Sequence, residues 1–183
     1  MVDPSRGLAH AAVRFARPSA AAEKQTSATP PPKDVSVSIS ACALDQRTIV
    51  ARTGDRLVLH NRDDRFHALG LSLLDGGRED RAQTLPLSPK EEGVHFTLGA
   101  PGFYRIQSDQ LPWMTGLLLV LAPGEEGVAS GLDGGLAVSA LPTGAWNVTV
   151  RHEVLGEGST TVDVAANEAA AIYVELGGSG DKE

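Results

Sequence analysis

Aromatic residues make up only 4% of this 183-residue chain, methionine occurs twice and cysteine once. A lone cysteine excludes an intramolecular disulfide and a zinc knuckle. A basic surface is missing too: the formal charge is −7, and no Lys/Arg cluster is interleaved with aromatics, which argues against a nucleic-acid binder. No apolar run approaches the roughly 18 residues of a membrane helix, so no transmembrane segment is expected. The N-terminus, MVDPSRGLAHAAVRFARP, lacks the basic-then-apolar pattern and cleavage site of an export signal. Helical signals are weak, because the Ala-rich stretches Ala9 to Ala16 and Ala165 to Ala171 are short and poorly capped.

What the chain does have is turn chemistry, with twenty glycines and eleven prolines, which favours many short strands joined by tight turns. The stretch GFYRIQSDQLPWMTGLLLVLA, Gly102 to Ala122, reads as strand, loop, strand. Val35 to Ile39 alternates strictly and predicts a strand, as do Thr48 to Val50 and Arg56 to His60. Residues 7 to 15 give a first strand with Leu8, Val13 and Phe15 in the core. Arg17 to Lys33 is Pro-rich and reads as a flexible excursion. Asp75-Gly76-Gly77 marks a turn, and a long irregular connection to Glu92 is expected before the short strand at His95 to Leu98. Glu125-Glu126-Gly127 reads as a linker. Beyond it, strands are expected at Leu136 to Ser139, Trp146 to His152, Thr160 to Val164 and Ala171 to Glu175, with a turn at Gly156-Glu157-Gly158. The charged, Gly/Ser-rich tail 178–183 is expected to be disordered.

Few residues invite chemistry. Ser108 has no Gly-x-Ser-x-Gly elbow and no identifiable His-Asp pair, so a catalytic serine, and an enzyme generally, is not expected. Asp63, Asp64, Glu79, Asp80, Glu91 and Glu92 lie in predicted loops without calcium-site spacing and read as solvated charge. Cys42 reads as a small buried hydrophobe on or near a strand. His10, His60, His95 and His152 have no ligand-like spacing to one another or to His67. His67 reads as hydrogen-bonded at the rim of a sandwich, Met114 as core, and Trp113 as a buried plug.

The loop after Ile106 nevertheless resembles the ligand loop of a cupredoxin, the small β-sandwich that holds blue copper. That loop runs Cys-x2-His-x2-Met, usually with Trp before Met, because a thiolate, imidazoles and a weak thioether suit copper in both oxidation states. Here the frame reads Ser108-x2-Leu111-x2-Met114, with Pro112-Trp113 in place. The span from Gly7 to Leu176 is similar to a bacterial family linked to methylamine utilisation and to carboxypeptidase-regulatory-like domains, in which a cupredoxin-like domain precedes a small transthyretin-like sandwich. The residues that carry this resemblance are Gly7 to Val13, Cys42 with Val50 to Gly54, Asn61-x-Asp63-x3-His67, Pro112-Trp113-Met114, Asp133-Gly134-x-Leu136, Leu141-Pro142-x-Gly144-x-Trp146 and Val150-x-His152.

The resemblance implies an all-β chain: a Greek-key cupredoxin-like domain over 1–122, with 17–33 as the excursion, then a transthyretin-like β-sandwich over 123–177. It makes His67 a retained copper-ligand position. Ser108 and Leu111, however, stand where the family has Cys and His, leaving His67, Ser108, Leu111 and Met114 as vestigial copper-site positions with no cofactor expected. The implied protein is a non-catalytic scaffold that has lost blue copper and serves protein binding or assembly in an envelope-associated complex. It would be periplasmic or in the cell envelope with its leader missing from this sequence; a cytoplasmic location is the alternative. The runner-up function is copper binding or electron transfer through His67 and Met114 with partner-supplied ligands.

Overall fold

The computed structural model describes residues 8–18, 30–75, 77–138, 141–166 and 172–177. The fold is all-β, with thirteen strands and no helix among these residues. No helix there is long and apolar enough to cross a membrane. In chain order the strands are β1 (Ala12–Ala16), β2 (Asp34–Ser40), β3 (Ala43–Leu44), β4 (Thr48–Arg52), β5 (Arg56–Asn61), β6 (His67–Asp75), β7 (Arg78–Leu87), β8 (Glu92–Thr97), β9 (Gly102–Ser108), β10 (Thr115–Leu121), β11 (Glu126–Ala129), β12 (Gly144–His152) and β13 (Gly156–Val164).

Pro30–Ala122 forms one compact unit. Its sheets run β3-β2-β5-β8 and β4-β10-β9-β6-β7. Two pairs are parallel, β2 with β5 and β4 with β10, and the remaining neighbours are antiparallel. Period-two alternation aims Val37 and Ile39 of β2, Leu57 and Leu59 of β5, and Tyr104 and Ile106 of β9 into one shared core. Burying each such side chain stabilises by about 1.5–3 kcal/mol. β10 is a continuous apolar run because it is buried on both faces, from Gly116 through Leu121.

β7 replaces the long irregular connection expected between Gly77 and Glu92. It is a ten-residue edge strand paired only with β6, and its first seven residues are exposed. Its Arg-Glu-Asp-Arg opening carries no apolar alternation because neither face of that stretch is covered. Charge on an exposed edge also discourages pairing with other chains. Glu79 accepts from Arg105 of β9, and Arg81 donates to Asp109 just after β9, so two of the strand's charges are matched by its neighbours.

The second compact unit joins Pro123 onward to β1, which corrects the assignment of all of 1–122 to the first domain. β1 sits inside the sheet β11-β1-β12-β13, with Val13 opposite Val128 on one side and Val150 on the other. The physical reason is that β11 and β12 each leave an open ladder edge, and β1 satisfies both. The expected linker at Glu125-Glu126-Gly127 therefore contributes to β11. Val13, Phe15, Trp146 and Val148 form the buried cluster on one face, with Val138, Leu141 and Ile172 against it. Trp146 donates its indole N–H to the carbonyl of Pro142 at 2.9 Å, and the Arg17 guanidinium stacks 4.2 Å from its ring centroid.

Among the described residues this unit has a single sheet. Residues 136–138 and 172–175, expected within strands, join no ladder; Val138 and Ile172 pack against the core, whereas Leu136 and Tyr173 are exposed. The expected turn at Gly156 lies within β13 instead, and the hairpin reverses at 153–155, where His152 Nδ1 accepts from the amides of Val154 and Leu155. Ser139, Ala171, the tail 178–183 and most of the Pro-rich excursion lie outside the described residues.

Because β1 seals two ladder edges, Phe15→Ala should destabilise the unit by about 3–5 kcal/mol. Hydrogen exchange at the β11 and β12 amides reads this out; unchanged exchange there contradicts the placement of β1.

Candidate functional site

Asn61, the last residue of β5, is 2% exposed and its side chain holds a loop together. Its Nδ2 donates to the carbonyls of Arg65 at 2.8 Å and Ser88 at 2.7 Å, and its Oδ1 accepts from the Asp63 amide at 3.0 Å. Those bonds fix the turn that aims Asp63 inward, at 14% side-chain exposure. Asp63 Oδ1 accepts from the Ala41 amide at 2.7 Å, and Oδ2 accepts from the Cys42 amide at 3.0 Å and from His67 Nε2 at 2.9 Å.

Ala41 and Cys42 are the two central residues of the β2–β3 hairpin, and their φ values are 51° and 59°. Positive φ at both positions is what a type I′ turn requires, and Asn-Gly normally supplies it. An L-residue with a Cβ in this region costs roughly 1–2 kcal/mol. Here the Asp63 carboxylate offsets that cost by accepting both amides. Cys42 is thus half-buried on a strained turn, which corrects its reading as a buried hydrophobe. Arg65 Nη1 lies 3.6 Å from its sulfur.

Burial pushes the Asp63 carboxyl up, but the Cys42 amide, the His67 ring and the Ala41 amide together outweigh it and hold the group below its ordinary value of 3.8. An ionised carboxylate only accepts, so His67 donates through Nε2. His67 is fully buried, and its Nδ1 lies on the other side of the ring from Asp63. Nδ1 has no hydrogen-bond partner among the described residues. Asp63 is the residue sequence reasoning missed: it read as solvated charge, and the signal was the fixed spacing from Asn61 to His67.

The loop after β9 closes on itself. The Ser108 amide donates to Met114 O and the Met114 amide donates to Leu111 O, both at 2.9 Å. Ser108 Oγ, at 3% residue exposure, accepts from the amides of Leu111 at 3.1 Å and Gln110 at 3.2 Å. Leu111 packs against the main core and Met114 is buried within it. His67 and Leu111 share the wall of a cavity of about 330 Å³, with Arg65, Phe66 and Gln110. Trp113 is 66% exposed, which corrects its reading as a buried plug, and Phe66 is 47% exposed. Trp113 follows Pro112 at the outer tip of the turn, so the chain reversal carries its ring outward while Met114 turns in.

Blue copper does not fit this donor set. A hydroxyl already accepting two amides stands at position 108 and a hydrocarbon at 111, so neither the thiolate nor the second imidazole is supplied. Elsewhere, His60 and His95 flank Gly93, where a Cβ would lie 3.6 Å from His95 Nε2 and 3.7 Å from His60 Cε1.

No family model matches the sequence, and no curated protein does. Among solved structures the chain is similar to a reduced mutant of amicyanin, with 18% identity and a TM-score of 0.40 over 48% of this chain and 82% of that one. It is also similar to amicyanin from Paracoccus versutus, with 18% identity and a TM-score of 0.40 over 48% and 81%. The reduced Cu(I) form of a further amicyanin mutant matches with 18% identity and a TM-score of 0.39 over 52% and 87%.

Replacing Asp63 by Asn should cost about 3 kcal/mol at neutral pH, the loss of hydrogen bonds to a charged acceptor. The sign follows from the lowered pKa: the contribution is full above the ordinary carboxyl value and is lost as pH falls through the folded-state value. Urea melts of the wild type and Asp63→Asn should therefore converge at strongly acidic pH. A gap that stayed constant with pH would rule out the ionised carboxylate as its source.

Proposed function

We propose that this protein is a non-catalytic cell-envelope scaffold whose Pro30–Ala122 unit is a cupredoxin-like module without blue copper, serving protein binding or assembly of a larger complex. The observation that carries this reading is the Ser108 hydroxyl. At the position where a cupredoxin has its thiolate, Ser108 Oγ is spent on the amides of Gln110 and Leu111 and stabilises the turn. Backbone bonds from Ser108 to Met114 and from Met114 to Leu111 add to the hold on the loop.

Binding is supported by what the loops expose. Trp113 and Phe66 are accessible large apolar side chains, Phe66 in the wall of the cavity, and aromatic anchors of this kind dominate the energetics of protein interfaces. The unit with β11–β13 is read as the transthyretin-like companion domain, on the Leu141-Pro142-x-Gly144-x-Trp146 motif that seats its core tryptophan.

One observation favours the second reading, a copper-binding or electron-transfer role through His67 and Met114 with ligands from a partner. His67 Nδ1 is buried and unpartnered among the described residues, and a neutral imidazole nitrogen is a good copper donor.

Adding Cu(II) separates the two. In a Cys42→Ser background the chain should bind no stoichiometric copper and show no intense visible absorption. Ser108→Cys combined with Leu111→His in that background should gain both, because the frame persists. Stoichiometric coloured copper in the background protein, abolished by His67→Ala, would overturn the copper-free reading. For binding, a specific envelope partner should be retained by the wild type and by Met114→Leu but lost with Trp113→Ala.

A further inference from the structure

We infer that Cys42, Asp63 and His67 form a binding site for one divalent transition-metal ion of the zinc class, separate from the loop positions Ser108, Leu111 and Met114. One donor atom from each residue, a sulfur, a carboxylate oxygen and a ring nitrogen, lies within 4.8 Å of the other two. Donors bound to one zinc ion sit about 2.0–2.3 Å from it, which places them within roughly 4 Å of each other in a tetrahedron. His67 Nε2 and Asp63 Oδ2 already meet that limit at 2.9 Å. Cys42 is half-buried on a surface turn, so a change of its side-chain rotamer brings the sulfur in.

The charges balance. Thiolate and carboxylate together neutralise a divalent cation. Binding releases the thiol proton to solvent and moves the ring proton from Nε2 to Nδ1. Nδ1 has no hydrogen bond among the described residues, so none is broken there, and the bond from Nε2 to Asp63 Oδ2 is exchanged for a bond from each atom to the ion. Arg65, whose guanidinium lies beside the sulfur, is exposed and swings into solvent when a cation takes its place. The mixed sulfur, nitrogen and oxygen set disfavours magnesium and calcium, which want oxygen alone, and suits a borderline-soft ion. Three protein donors leave a fourth position for water.

The site's effect is to staple the β2–β3 turn to the loop before β6. It shares His67 with the copper-site positions but uses the other ring nitrogen, and no residue of the 108–114 loop takes part.

Cobalt(II) is the probe, because thiolate ligation gives near-ultraviolet charge transfer and tetrahedral geometry gives intense visible bands. Titration of the reduced full chain should saturate at one equivalent with both signals, and zinc should displace the cobalt. Cys42→Ser should abolish the charge-transfer band and weaken zinc affinity by more than the roughly tenfold cost of losing even an outer partner. Met114→Leu should change neither. Circular dichroism and thermal melting establish that each variant is folded; Cys42→Ser is the lead variant because its side chain lies on a turn rather than in the core. Absence of saturable binding, binding unaffected by Cys42→Ser, or binding lost in Met114→Leu would each overturn the assignment, the last by placing the ion in the loop.

Discussion

The Asp63 carboxylate organises one end of the Pro30–Ala122 sandwich. It accepts from two amides of the β2–β3 turn and from the ring of the first residue of β6, so two separate pieces of chain depend on one charged group. A buried carboxylate is tolerable only with its lone pairs matched, and here the matching is near complete. The same bonds explain why Ala and Cys sit where a hairpin normally wants Asn-Gly. The turn's own preference is overruled by an acceptor outside it, an example of strain held in place by its surroundings.

Behind Asp63 stands Asn61, whose amide reaches two carbonyls and whose oxygen takes the Asp63 amide. The spacing Asn61-x-Asp63-x3-His67 is therefore a physical unit: Asn61 shapes the loop, Asp63 clamps it, and His67 is held in one tautomer and one orientation. The spacing was readable in the sequence, but the central role of Asp63 was not. Its acceptor bonds come from Ala41 and Cys42, some twenty residues away, and no local pattern announces them.

The same limit governs the fold. Strands with one buried face, such as Val35 to Ile39 and Arg56 to His60, were legible because alternation writes burial into the sequence. β10 was legible as an unbroken apolar run. β7 was not, since an edge strand whose first seven residues are exposed has no apolar period to display. β1 was legible as a strand but not in its partnership. Pairing is decided by which edges remain open after the chain has folded, and β11 and β12 leave theirs more than 100 residues downstream. The companion unit was legible at Trp146, whose indole finds the Pro142 carbonyl within its own turn, and obscure at residues 172–175, whose apolar alternation serves packing without a ladder.

A buried hydroxyl left without a partner would destabilise the loop by about 1 kcal/mol or more. Ser108 escapes that cost, because its Oγ accepts from the amides of Gln110 and Leu111. Leu111 turns its hydrocarbon to the core, where an imidazole would need a polar partner. The 108–114 loop is thus organised by a hydroxyl that accepts two amides and by apolar packing. His67 Nδ1 has no hydrogen-bond partner among the described residues, while Nε2 is held by Asp63 from the other side of the ring. The bond to Asp63 accounts for a histidine at this buried position, whatever becomes of Nδ1.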